Sequence, residues 1–214
     1  MSAVAARLAE VRRRIEVAGG DPERVRIVAV TKGFGPEAVE AALAAGLEDV
    51  GENYAQELVT KAPRVAGTPR WHFLGAVQRN KVPALAPLVA CWQSVARAVE
   101  GEAIARRRPG ALVLVEVELT GRPGRNGCRL DAVPALVADL VADGLDVRGL
   151  MTVAPQEDAQ ATFRAVRELA DRLGLPERSM GMTGDLEAAV AEGSTMVRVG
   201  RALFGERGGG PRFA

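Results

Sequence analysis

Three lysines stand among the 28 basic residues of this chain, Lys32, Lys61 and Lys81, and every other positive charge is an arginine. Lys32 lies in "AVTKGF", residues 29–34, where a short apolar run stops. An amine in an apolar, partly dry pocket loses its proton more readily than in water and can then condense with an aldehyde to a Schiff base. A guanidinium is never deprotonated in a protein, so arginine cannot do this work. The alternative is a strand-end lysine whose stem covers apolar surface while its ammonium reaches water.

A second group of residues suits an anion. "GMTGD" (181–185) and "VRVGRALFGER" (197–207) each lead a short apolar run through a turn marked by Gly or Thr into a helical pattern. Backbone N–H groups and the positive end of the helix dipole then face whatever lies beyond the turn. Thr183 can add its hydroxyl, Gly200 lets the backbone approach closely, and the amide of Arg201 stands beside it. Ordinary helix capping is the competing explanation. An amine opposite a phosphate cup describes a site for a phosphorylated aldehyde, of which pyridoxal 5′-phosphate (PLP) is the leading example.

These residues need a frame that brings them together. Eight candidate strands run through the chain: "RIVAV", "EDV", "WHFLG", "CWQSV", "ALVLVEVEL", "DVRGLM", "RSMGM" and "TMVRVG". Each is followed by a helical stretch, the rhythm of an α/β protein built as a single (β/α)8 TIM barrel. An open, doubly wound sheet has the same alternation and is the runner-up. "GPEAVEAALAAG" carries Pro just inside its start and Gly just past its end, and "TGDLEAAVAEG" opens with a Thr cap and an acidic first turn. Ahead of the first strand, Val4, Leu8, Val11 and Ile15 recur at spacings of three and four, which predicts an extra N-terminal packing helix within residues 1–20. The expected organisation is one domain over 1–214, with a frayed tail at 206–214 and a mobile loop in "TGRPGRNGC".

In a barrel the C-terminal strand ends converge on one mouth. Lys32, Glu52, Asn53, His72, Thr183, Arg198, Gly200 and Arg201 all fall at or near such ends. His72 either approaches the mouth or is a hydrogen-bonded core histidine. Glu52 is read as holding a neighbouring backbone, Tyr54 as packing, and Arg79 with Lys81 as a solvated helix start.

Composition narrows the function further. Lys and Arg total 28 against 27 for Asp and Glu, a formal net charge of +1, so no long-range field draws in nucleic acid or an anionic membrane. No stretch approaches the roughly 20 apolar residues of a membrane span, and the first residues lack a signal-peptide pattern, so a cytoplasmic protein is expected. One histidine and two distant cysteines, Cys91 and Cys128, argue against a metal centre and against a disulfide framework. The phosphate-binding GxxxxGK[ST], the dinucleotide GxGxxG and the hydrolase GxSxG are all absent.

"VAVTKGF", "GENYAQEL", "WHFLGAVQRNKV", "VRGLMTVAP" and "MGMTGDLEAAVAEGSTMVRVGRALFG" together resemble the pyridoxal phosphate homeostasis protein family, also called YggS or PROSC, from about residue 26 to about residue 205. The resemblance implies a barrel like the N-terminal domain of alanine racemase, with PLP held as a Schiff base on Lys32. It further implies Asn53 near the cofactor ring, Met182 and Thr183 at the phosphate, Gly200 and Arg201 completing the cup through their backbone, and Arg198 facing the pyridine nitrogen. Ser179 and His72 are further candidate contacts. The implied role is a carrier or buffer of PLP and related B6 vitamers that supplies PLP-dependent apo-enzymes. It is read as a monomer without a catalytic residue of its own. A single-barrel amino-acid racemase is the alternative, and a phosphate-binding barrel enzyme that uses Lys32 as a base or clamp is a third. The chain departs from the family pattern at Thr31 before the lysine, at Thr183 after Met182, at Arg201 after Gly200, and in the 120–128 loop, where Arg125 stands in place of a lysine.

Overall fold

The structure is a computed structural model that describes residues 2–122 and 124–206. Its parallel strands are β1 (Arg26–Val30), β2 (Asp49–Glu52), β3 (Arg70–Phe73), β4 (Val89–Val95), β5 (Leu112–Glu118), β6 (Cys128–Arg129), β7 (Asp146–Thr152), β8 (Glu177–Ser179) and β9 (Met196–Val199). Around them lie the helices α1 (Ala3–Val17), α2 (Pro36–Ala44), α3 (Ala55–Lys61), α4 (Val82–Leu85), α5 (Ala98–Ala105), α6 (Val133–Ala142), α7 (Ala159–Arg172), α8 (Leu186–Ala191) and α9 (Arg201–Phe204). The strand order is β4-β3-β2-β1-β9-β8-β7-β5, and β4 also pairs with β5, so the sheet closes. That pairing, which sets Cys91 opposite Leu112 and Trp92 opposite Val113, decides for the (β/α)8 barrel and against the open sheet.

The strands are apolar because a parallel barrel buries both faces. Ile27, Ala29, Val197 and Val199 point outward and share a core with Leu8, Val11 and Ile15 of α1 and Leu186 of α8. Burying each such side chain stabilises the fold by about 1.5–3 kcal/mol, which is why α1 stays on the barrel. On the lumen face Cys91, Leu114 and Met151 form an apolar layer of their own. Both cysteines are buried free thiols.

All eight expected strands form. β6 is additional: it places Cys128 opposite Val117 and Arg129 opposite Glu118, at the end of the segment read as loop. A two-residue bridge has no periodicity by which a sequence could announce it. The helix after β3 shrinks to the single turn of α4, since Pro87, two residues past its end, has no N–H with which to extend it. α2 keeps its predicted ends, with Pro36 at its start and Gly46, at φ +83°, just beyond its last turn. The expected Thr cap of α8 is overturned. That helix starts at Leu186 with Asp185 at its N-cap, and the Asp185 carboxylate accepts the N–H of Met182 at 2.6 Å, closing the loop locally. From residue 207 onward, the tail expected to fray lies outside the described residues.

Candidate functional site

Lys32 sits in a tight turn at the mouth end of β1. The N–H of Phe34 donates to the carbonyl of Thr31 at 3.0 Å, leaving Lys32 and Gly33 as the central residues. Gly33 has φ +76°, a conformation that only glycine takes without strain. The side chain of Lys32 is therefore presented from a turn with little freedom, and it is half-buried.

A buried ionic cluster grips this turn from the helix side. Lys61 of α3 donates from Nζ to the carbonyl of Thr31 at 2.9 Å, to Glu52 Oε1 at 2.5 Å and to Glu57 Oε1 at 2.9 Å. The Thr31 hydroxyl donates to Glu52 at 2.6 Å, and the N–H of Gly33 donates to Glu57 at 2.7 Å. The residues on both sides of Lys32 thus hang on one ammonium and two carboxyls, with Lys61 and Glu57 each 4% exposed and Glu52 at 0%. Burial pushes the Glu52 carboxyl up to about 7 against the opposing pull of Lys61. Glu52 Oε2 and Glu57 Oε2 are buried without a partner among the described residues, as expected where two carboxyls share one cation. Glu52, expected to hold Asn53 or a neighbouring backbone, instead reaches the lysine turn through side chains, taking the Thr31 hydroxyl and the Lys61 ammonium. Lys61 and Glu57 were missed. Their four-residue spacing reads as an ordinary helical ion pair, and the hint lay in Lys61 being one of three lysines.

The phosphate-cup residues come together beside this turn. Thr183 and the start of α9 meet, with the N–H of Ala202 pointing at Thr183 Oγ1 over 3.4 Å. Gly200 follows β9 so closely against β1 that a Cβ there would lie 3.0 Å from the carbonyl of Val30. The two halves of the mouth touch through rings: Phe34 of the lysine turn and Phe204 of α9 have centroids 5.4 Å apart. Arg14 of α1 braces the cup from outside. It donates to the carbonyl of Thr183 at 2.9 Å and bidentately to Glu187 at 2.6 and 2.7 Å, a link across 169 residues that no local pattern reveals. Met182 and Arg201 are exposed at the rim. Asn53 is half-buried. Its Oδ1 has no partner among the described residues, and its carbonyl lies where a Cβ on Gly75 would collide, at 1.8 Å.

Arg198 forms the floor of the mouth. It donates to the carbonyl of Ser179 at 2.6 Å and its hydroxyl at 2.7 Å, and to the carbonyl of Thr152 at 2.7 Å. Among the described residues no carboxylate bonds to it directly, and its burial pulls the guanidinium down to about 10. His72 takes the core position of its two possible places. It bonds to Asp49 through Nε2 at 2.8 Å and to Gln93 through Nδ1 at 2.6 Å, in the lumen below the mouth. Tyr54 is 42% exposed at the head of α3 and packs in no core cluster. Arg79 is exposed, as a solvated helix start requires. Arg125 reaches the carbonyl of Val153 at 3.1 Å, and its neighbour Asn126 bonds to Glu116 at the mouth.

A lysine turn, the Thr183 and Gly200 turns and a buried arginine lie together at the C-terminal end of a closed α/β barrel. The family model for the alanine racemase N-terminal domain matches residues 1–208. The pyridoxal phosphate homeostasis protein of Pseudomonas aeruginosa is 40% identical over 97% of this chain and 97% of its own length. PipY of Synechococcus elongatus has been solved without PLP, at TM-score 0.85 and 32% identity, and with PLP bound, at TM-score 0.81 and 30% identity. Each of those matches covers 94% of this chain and 100% of the other. The chain belongs to the pyridoxal phosphate homeostasis protein family.

Proposed function

We propose that this chain holds PLP covalently on Lys32 and acts as a monomeric, single-domain carrier or buffer of the cofactor, delivering it to apo-enzymes. The observation that carries this reading is the meeting of the Lys32 turn with the Thr183–Gly200–Arg201 cup across the β1–β9 seam, joined by the Phe34–Phe204 contact. The residues present suit the group. An amine stands on one side and a hydroxyl with backbone amides on the other. A cation lies at the floor, and Asn53 Oδ1 is a buried acceptor without a partner among the described residues. Bound PLP would supply an aldehyde, and Lys32 would be the amine that holds it.

The chain's own groups favour holding over turnover. Arg198 would place a cation beside the ring nitrogen and disfavour its protonation, so the ring is a poorer electron sink than one paired with a carboxylate. The Glu52–Lys61–Glu57 cluster orients the lysine backbone, and the cup fixes the phosphate end. Release requires only that another amine replace Lys32.

The test is borohydride reduction of protein incubated with PLP, followed by peptide mapping. A pyridoxyl mass on Lys32, lost in Lys32→Ala while the circular dichroism spectrum is kept, is the expected result. Retention of the visible band in Lys32→Ala would sink the assignment.

A further inference from the structure

The lumen contains a chain of hydrogen bonds that runs from Arg198 to the opposite end of the barrel. Arg198 donates to Ser179 Oγ at 2.7 Å, and Ser179 Oγ donates across the lumen to Gln93 Oε1 at 2.7 Å. The Gln93 amide nitrogen stands 2.6 Å from His72 Nδ1, and His72 Nε2 stands 2.8 Å from Asp49 Oδ1. Arg70 closes the series, donating to both Asp49 oxygens at 3.0 and 2.7 Å. Ser179 and Gln93 are 0% exposed, His72 is 2%, and Asp49 is 6%.

One set of directions satisfies every link. A carboxylate only accepts, so the proton of His72 belongs on Nε2. Burial alone would raise the Asp49 carboxyl, but the bonds from His72 and Arg70 outweigh it and hold it below its ordinary value. With Nε2 protonated, Nδ1 of the neutral ring is an acceptor and needs the amide nitrogen of Gln93. Met196 supports that orientation, since its sulfur lies 3.0 Å from the same nitrogen and is a poor neighbour for an amide oxygen. Gln93 Oε1 is then left to take the Ser179 hydroxyl hydrogen. With its hydrogen on Gln93, Ser179 Oγ keeps its lone pairs for Arg198, which has donors alone to offer. The chain thereby links the carboxylate at the foot of the barrel to one of the three bonds that hold the arginine at its mouth.

We propose that Gln93 and His72 are positioning residues for Arg198, aligned by Asp49 through a one-way hydrogen-bond chain across the lumen. The role in cofactor binding rests on the reading above that Arg198 faces the cofactor ring.

The single histidine of the chain makes a clean probe. In 15N-histidine-labelled protein without cofactor, His72 is expected to carry hydrogen on Nε2, toward Asp49, and none on Nδ1. Hydrogen on Nδ1 would overturn the chain. Adding PLP should shift the His72 nitrogen resonances in the wild type and leave them unmoved in Ser179→Ala, which keeps the backbone carbonyl but cuts the link. Gln93→Leu should weaken PLP binding on the order of tenfold, the size of one charge-assisted hydrogen bond. Gln93→Glu should keep most of the affinity, because a carboxylate still accepts from Ser179. A packing role alone predicts the reverse order, with the apolar variant benign and the buried charge harmful; that order, or an unchanged His72 response in Ser179→Ala, would overturn the proposal. Failure of borohydride to fix PLP on Lys32 in the wild type is a separate outcome. It overturns the cofactor reading and the positioning role with it, whatever tautomer His72 shows.

Discussion

At the residue scale, what distinguishes Lys32 is the treatment of its neighbours. The turn leaves the lysine itself half-buried, while Thr31 and Gly33 are tied to a buried cation shared by two carboxyls. Such a cluster is costly to break from one side, because the remaining charges stay buried. Lys61→Met should destabilise the protein by about 3–5 kcal/mol, measured by urea unfolding. Glu52 gives the cluster a pH signature. Its carboxyl, ordinarily near 4.5, is raised to about 7, so between these values the folded state keeps a proton that the unfolded chain releases. The stability this provides is full below about 4.5, declines as pH rises, and is lost by about 7. Glu52→Gln should abolish that slope in unfolding midpoints taken across the same range; an unchanged slope would place the titration elsewhere.

At the scale of elements, α1 has a role that its sequence pattern only half expresses. The stripe of Val4, Leu8, Val11 and Ile15 was legible as a packing face and is buried as read. Arg14 lies off that stripe, yet it holds the carbonyl of Thr183 and the carboxylate of Glu187. Because Glu187 is about half exposed, the pair adds little to global stability. Arg14→Ala should therefore leave the thermal midpoint nearly unchanged while weakening PLP binding by about fivefold, the order expected for one lost positioning bond; titration of the visible PLP band would check it. Equal loss in both measurements would show Arg14 to be a brace for α1 alone. α8 teaches the complementary point. Thr183 carried the right type for a cap, but Asp185 lay nearer the helix and took the position, releasing the Thr hydroxyl toward α9.

At the scale of the whole molecule, the barrel was legible because each strand is a short apolar run and each helix has a marked end. Closure was not, since β4–β5 pairing is a property of tertiary twist and register rather than of any one segment. The mouth residues Lys32, Thr183, Arg198 and Gly200 were legible for the same reason as the strands: they interrupt apolar runs at predictable ends. Gln93, Lys61 and Arg14 were not, because their meaning lies in partners up to 173 residues away. His72 shows the limit within one residue, as its position marked it as unusual but only its partners separate a lumen relay from a mouth contact.

The seam between β1 and β9 has a consequence for how the protein comes into being. Arg26 pairs with Met196 and Ala29 with Val199, so the first strand waits on the last. During synthesis Lys32 emerges early and the Thr183 and Gly200 turns late, so on the proposed reading a nascent chain carries the amine before the residues that would receive the phosphate. Chains arrested on the ribosome before Met196 should not retain the cofactor, whereas chains released past Phe204 should, as read by borohydride trapping. Cofactor capture would then certify that translation of the barrel had run to its final strand.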